Sequence, residues 1–312
     1  MFIQKGESLS QIGEDLKQVF DHDFTLNVGQ REIIKMKNAD VITDRDLNIA
    51  KFMFKFKFAT VEQVYKYLTL IGPEEEAGSF NSVRNRLNKL VQYRILNKFM
   101  LTNNPTYEKI LPDALEIYCL DLGGRYLLAN YSKEDTSDWY SIVNMKGSEI
   151  ISKNLYVTEF YLSLIETIPD KVLYFNPDPD IRVGKQNIVP SFDMCIEESG
   201  NKSYFVGEVV REFEFPVQFR EKAYKLESLF ESNAWKKYYY DSLTPPVLFV
   251  FTDNDQSAYE VSKMITEITE MDRFRITTRE RIKRPLHEVG AFLRYSEEKE
   301  VLQEIKATMF TP

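Results

Sequence analysis

An α+β chain in two parts, helices first and then strands alternating with helices, is the fold class the sequence predicts, and three observations predict it. The 312 residues exceed one typical domain and suit two, each able to bury its own core. Hydrophobic residues at 43% and aromatic residues at 13% are the composition of a chain that folds rather than one that stays disordered. The apolar spacing is helical up to about residue 93, reads as a hairpin to about residue 121, and alternates between strand and helix patterns after about residue 150. The expected layout is an arm over 1–43, a first domain over 44–131, a linker over 132–148 and a second domain over 149–312.

The first forty residues mix apolar and charged positions with weak periodicity and predict no firm element. From "TDRDLNIAKFMFKFKFAT", Asp44 or Asp46 is expected to cap a helix whose Leu47, Ile49, Ala50, Met53 and Phe54 recur at helical spacing, ending near Phe58. Thr60 then caps a short helix in "VEQVYKYL". The polar turn "GPEEEAG" breaks it, and Ser79 or Asn81 caps a third helix to about Tyr93 with Val83, Leu87, Leu90 and Val91 as its buried stripe. "ILNKFML" and "LEIYCLD" read as a hairpin around the loop "NNPTYEKILPD", and "LGGRYLLANY" as a turn and a helix start. Three helices followed by a two-stranded wing is the order of a winged helix-turn-helix module.

"SKEDTSDWYSIVNMKGS" is polar and broken, as a linker is. Beyond it come a helix in "NLYVTEFYLSLIETI", strands in "VLYFNPD", "SFDMCIEE" and "KSYFVGEVV", a helix over about 216–232, the strand "VLFVFTD", a helix over about 256–271 and "FRITTRE" as the last strand. That alternation predicts a central sheet with helices on its faces.

The stretch "SFNSVRNRLNKLVQYRILNKFML", residues 79–101, carries Arg84, Arg86, Lys89, Arg94 and Lys98 and no acidic residue, in a chain of formal net charge -8. Up to residue 155 basic and acidic residues number roughly 20 and 21, and beyond it roughly 20 and 27, so the first half is the better place for a polyanion site. A helix in a major groove must bring donors to phosphates and base edges, and Arg84, Asn85, Asn88 and Lys89 meet that need. Ser79 and Asn81 are expected at phosphates by the helix N-terminus, with Arg94 and Lys98 as further DNA contacts, Lys98 from the wing. The rival readings are a solvated helix face and a protein-docking surface.

In the second half, Asp193 and Glu208 fall on consecutive strands around the tight turn "ESGNKS". A restriction-endonuclease-like core binds Mg²⁺ with such a pair and places a lysine two residues after the second acid. Here Val210 holds that place, and strand alternation sends Arg211 to the opposite face. Gln218, Lys222 and Lys225 share a face of the following helix, so a lysine has a route to the site from there. A nuclease would use Asp193, Glu208 and Lys222; otherwise Glu208 pairs with Lys222 or Arg211 in an inert sheet. The expectation is a degenerate, non-catalytic core without a cofactor.

Other chemistries lack their residues. There is no G-x-G-x-x-G or G-x-x-x-x-G-K loop, and His22 and His287 stand apart from either cysteine and from any nucleophile motif. The "WKKYYYD" cluster at 235–241 has the composition to stack on single-stranded bases or to pack in a core. Cys119 and Cys195 suggest neither a disulfide framework nor zinc. No apolar run approaches the roughly 20 residues a membrane span requires, and no secretory signal is recognisable at the start. A soluble, cytoplasmic protein is the expectation.

The segments "DLNIAKFMFKFKFATVEQVYKYL", "SVRNRLNKLVQYRIL", "YCLDLGGRYLL", "VPSFDMCIEE", "YFVGEVVREFE", "FREKAYKLESLF" and "PPVLFVFTD" together resemble the replication-relaxation family of plasmids and integrative conjugative elements, over roughly residues 44–282. The family pattern has a Pro-Asp pair where this chain reads Pro190-Ser191-Phe192-Asp193, and an acidic-x-Asp-Arg-like run where it reads Glu208-Val209-Val210-Arg211. The resemblance implies a DNA-binding accessory in plasmid or element replication and transfer, with double-stranded DNA and a relaxase or replication initiator as partners. A transcriptional regulator of a mobile element would read the same way. Winged helices on operators are commonly dimers, which makes a homodimer an expectation.

Overall fold

The computed structural model describes residues 1–7, 9–13, 15–24, 28–72, 78–104, 106–211, 217–268 and 274–311, without the side chains of Val183, Gln186, Val217 and Gln218. Residues 73–77 of the expected "GPEEEAG" turn, Pro216 at the start of the 216–232 helix and residues 269–271 of the 256–271 helix lie outside the described residues. The fold is mixed α+β. Two compact units, Met1–Thr158 and Glu159–Pro312, divide it.

In the first unit, β1 (Lys17–Phe20) and α1 (Gln30–Asn38) precede α2 (Asp44–Phe56), β2 (Phe58–Thr60), α3 (Val61–Ile71), α4 (Phe80–Gln92), β3 (Leu96–Thr102), β4 (Ile117–Leu120) and α5 (Leu122–Tyr131). The sheet is antiparallel, in the order β1-β3-β4-β2. Thr43, not Asp44 or Asp46, is the N-cap of α2. Asp46 instead sits at the third helical position, where its carboxylate accepts from the Thr43 N–H at 2.7 Å. Thr60 and Gln63 form the corresponding reciprocal cap of α3, and Ser79 caps α4 by accepting from the Ser82 N–H. Val83, Leu87, Leu90 and Val91 are all buried, as their helical spacing predicts.

Residues 1–43 are not an arm apart from this unit. Strand β1 adds to the sheet along β3, Ile3 donates its N–H to Leu101 and accepts from Leu115, and Ile33 of α1 is fully buried. Nor is 132–148 an extended linker. It contains a 3-10 turn at Ser141–Asn144, and the buried Asn144 donates to the Leu120 carbonyl at 2.7 Å and accepts from Gln18 at 2.9 Å. Ser148 opens α6 (Ser148–Thr167), six residues before the sequence pattern starts it, and the division between the units falls inside that helix.

The second unit holds a seven-stranded sheet in the order β13-β12-β11-β10-β9-β8-β5. Its strands are β5 (Val172–Pro177), β8 (Phe192–Glu198), β9 (Asn201–Val209), β10 (Val247–Thr252), β11 (Phe274–Thr278), β12 (Phe292–Ser296) and β13 (Val301–Ile305). Strands β9, β10 and β11 run parallel, joined through α7 (Val217–Glu231) and α8 (Asp255–Thr266), and the other pairings are antiparallel. A separate hairpin, β6 (Ile181–Val183) with β7 (Gln186–Ile188), leaves the main sheet. The strand at 274–278 is not the last. Strands β12 and β13 follow it, and they escape the sequence reading because "LRYSEEKEVLQEI" is charged and only half-buried.

Two apolar layers sandwich this sheet. Val206, Val210 and Val250 pack with Phe219, Leu226 and Leu229 of α7 and Val261 and Ile265 of α8. Phe160, Phe175, Phe192, Phe205, Phe249, Phe251, Phe292 and Phe310 make a second, aromatic layer. Gly207 makes room for it, since a Cβ there would lie 1.9 Å from the Phe192 ring. The β8–β9 turn places Ser199 at φ 52° and Gly200 at φ 82°, both left-handed, as a two-residue hairpin turn with right-handed strand twist requires.

Candidate nucleic-acid interface

Helix α4 is amphipathic, and what it leaves outside is polar. Asn81, Asn85 and Lys89, four residues apart, are exposed, with Ser82 and Gln92 beside them. Ser79, at its cap, is exposed too, but its hydroxyl oxygen is occupied by the Ser82 N–H at 3.2 Å.

The stretch without carboxylates in sequence is not without them in space. Glu116, the residue before β4, is 7% exposed and takes cations from three segments. Lys98 Nζ of β3 donates to its Oε1 at 2.7 Å, Arg84 Nη2 of α4 to its Oε2 at 3.3 Å, and Lys5 Nζ stands 3.9 Å away. Burial pulls the Glu116 carboxyl upward, but the hydrogen bond and charge of Lys98, with Lys5 and Arg84, hold it below the ordinary glutamate value. Lys98 also donates to Asn88 Oδ1 at 3.0 Å, which the Tyr118 hydroxyl approaches at 3.3 Å. Arg84, Asn88 and Lys98 therefore belong to one network centred on Glu116.

Arg86 faces elsewhere. Its Nε donates to Asp46 Oδ1 at 2.8 Å, its Nη2 donates to Asp46 Oδ2, and the same Nη2 reaches the Val41 carbonyl at 2.6 Å. Asp46 is fully buried, and its hydrogen bond to Arg86 raises the guanidinium's pKa further. Arg94 lies past the end of α4 with φ 60°, its carbonyl accepting from the Gly123 N–H at 2.8 Å, apart from the Glu116 network. Of the eight residues expected at DNA, Asn81, Asn85 and Lys89 stand exposed in a row, Arg84, Asn88 and Lys98 are drawn together beneath Glu116, and Ser79 and Arg94 serve the helix ends. Glu116 and Lys5 escape the sequence reading: the β3–β4 register, Lys98 opposite Tyr118, is set across a long connection that no local signal encodes.

Asp193 and Glu208 lie on one face of the second unit's sheet, offset by two residues, because Asp193 pairs with Val206 across β8 and β9. Lys222 reaches this face from α7, its Nζ donating to Glu208 Oε1 at 2.6 Å. Ser191 adds its N–H and its hydroxyl, each at 3.2 Å from Glu208. Asp193 accepts from Asn176 Nδ2 at 3.0 Å and from the Tyr239 hydroxyl at 3.2 Å, and burial raises its pKa against those two donors. Arg211 turns away, with its Nε 2.7 Å from Asp253 Oδ1.

A divalent cation needs converging oxygens with free lone pairs. These two carboxylates instead face donors, and among the described residues no group of three or more His, Cys, Asp or Glu is placed to hold a metal ion. Both carboxylates are engaged by protein donors here, and Lys222 reaches Glu208 from α7 by the route the helix spacing allows. In the "WKKYYYD" cluster, Trp235 and Tyr239 are core residues while Lys236, Lys237 and Tyr240 are exposed. Both cysteines are free and buried, and no helix among the described residues is long and apolar enough to cross a membrane. No protein-family model, curated protein or solved structure matches the chain.

Proposed function

We propose that the first unit is a winged helix that binds double-stranded DNA through α4 and the β3–β4 hairpin, and that the chain serves as an accessory in the replication or conjugative transfer of a plasmid or mobile element. The observation that carries the DNA-binding half is the exposed row Asn81, Asn85 and Lys89 on a helix that follows α2, β2 and α3 and precedes β3 and β4. That element order, with β2 pairing β4 and β4 pairing β3, is the order a winged helix uses to present its third helix to a major groove. Asparagine and lysine there supply donors for base edges and phosphates. The accessory role rests on the resemblance to the replication-relaxation family, and the same helix would serve a transcriptional regulator of a mobile element. The second unit, built like a nuclease core whose carboxylates are tied to Lys222, Ser191, Asn176 and Tyr239, acts without catalysis, as a surface for a second copy or for a relaxase or initiator.

A fluorescence-anisotropy titration on mixed-sequence duplex tests this. The expected result is binding that weakens steeply from low to moderate salt, with the DNA intact on a gel after incubation with Mn²⁺. Absence of binding at both salts overturns the DNA reading, and cleaved DNA overturns the non-catalytic reading of Asp193 and Glu208.

A further inference from the structure

Two of the cations that α4 and its wing offer to DNA are already in use. Arg84 and Lys98 both donate to Glu116, which is nearly buried, while their own side chains remain 37% and 14% exposed. With Lys5, three cations share the one Glu116 carboxylate. Arg84 is the freer of the two main donors: its hydrogen bond to Glu116 is the longer, at 3.3 Å against 2.7 Å for Lys98, which is held by Asn88 as well.

We propose that Glu116 is a positioning residue that sets how selectively this surface binds DNA, by holding Arg84 and Lys98 in place and partly neutralised so that they pass to DNA only where the new contacts exceed the ones they leave. The inference rests on the reading of α4 as the DNA-facing helix. A cation free to swing attaches to any phosphate, and that contact carries no sequence information. A cation tied to a carboxylate must exchange one charge-assisted hydrogen bond for another, so a phosphate alone yields little net gain while a well-placed base edge adds to it. The Lys98–Asn88–Tyr118 chain extends the same control to Asn88, whose Oδ1 is fixed by two donors, so its amide N–H group is held in one orientation.

The test uses the full chain in three forms, wild type, Glu116→Gln and Glu116→Gln with Arg84→Gln, titrated by anisotropy on mixed-sequence duplex over a salt series. Glu116→Gln should bind mixed duplex about tenfold more tightly near 0.1 M salt, with a salt slope steeper by about 1, the signature of one additional phosphate contact. Adding Arg84→Gln should return both values to those of wild type. The salt slope reports charges engaged rather than stability. If wild type binds and Glu116→Gln leaves affinity and slope unchanged, the role of Glu116 is overturned while the DNA reading stands. If neither protein binds, the DNA reading fails and the inference falls with it.

Discussion

Two carboxylates from outside the acid-free stretch reach its helix, and they do so in different ways. Asp46 is fully buried, takes two hydrogen bonds from Arg86 and one from the Thr43 N–H, and so joins α2 to α4. Glu116 divides its charge among Lys98, Arg84 and Lys5, two of them more than a third exposed. The Asp46 pair is the costlier to break, because it is bidentate and its fully buried carboxylate also caps α2, whereas Glu116 shares its charge among three cations, of which Arg84 and Lys5 already reach water. Arg84 and Arg86 are two residues apart in sequence, yet Arg86 joins α4 to the buried Asp46 of α2 while Arg84 reaches Glu116 through a longer hydrogen bond at 3.3 Å.

The largest expected effect follows directly. Asp46→Ala should cost about 3 kcal/mol of unfolding free energy, combining the broken pair with the lost cap of α2, and Glu116→Ala about 1 kcal/mol. Urea denaturation of both variants checks this, and equal losses would break the distinction. A third pair, in the other unit, sharpens it. Lys222→Met should cost about 2 kcal/mol, less than Asp46→Ala because the Ser191 N–H and hydroxyl still serve the buried Glu208. Glu208→Gln placed on top of Lys222→Met should restore most of that loss, and a double-mutant cycle with no coupling would show that the pair is incidental.

What the sequence discloses about these pairs tracks how local each one is. The caps Thr60 and Ser79 and the buried stripe Val83, Leu87, Leu90 and Val91 are legible because a cap spans three residues and a stripe repeats every turn. The Ser199-Gly200 turn is legible for the same reason, and so is the reach of Lys222 toward Glu208, since a strand's alternation and a helix's spacing fix which faces meet. Strands β2, β6 and β7 are three residues each, too short for alternation to register. The first forty residues look unstructured because β1 exposes Lys17 and half-buries Gln18, and its identity as a strand comes from β3 beside it. Glu116 belongs to the same class: its partners are 18, 32 and 111 positions away, brought near by sheet register rather than by any motif.

On DNA, the comparison predicts which charge matters on its own. Lys89, exposed on α4, makes no ion pair among the described residues, so Lys89→Glu should weaken binding to duplex by about tenfold and lower the salt slope by about 1. Lys263→Glu, also exposed and in the last turn of α8, changes net charge by the same amount and should do neither. Matching titrations of the two variants separate a localised interface from a general dependence on net charge, and equal weakening would remove α4 as the site.

The smallest effect is in pH, and its sign is fixed. Lys98 foremost among the cations holds the folded Glu116 carboxyl below its ordinary 4.5, against the opposing pull of burial. A carboxylate depressed in the folded state contributes stability that is present above its unfolded pKa and is lost as the pH falls through the folded one. The gap in urea midpoint between wild type and Glu116→Gln should therefore stay constant from pH 7 down to about 5 and close only below about 4.5, as the proton finally displaces Lys98. A gap that already closes between pH 6 and 5 would mean that burial outweighs the lysine. Glu116 would then be neutral under mildly acid conditions, Arg84 and Lys98 would be released there, and the contrast with the buried Asp46 would become one of protonation rather than of exchange.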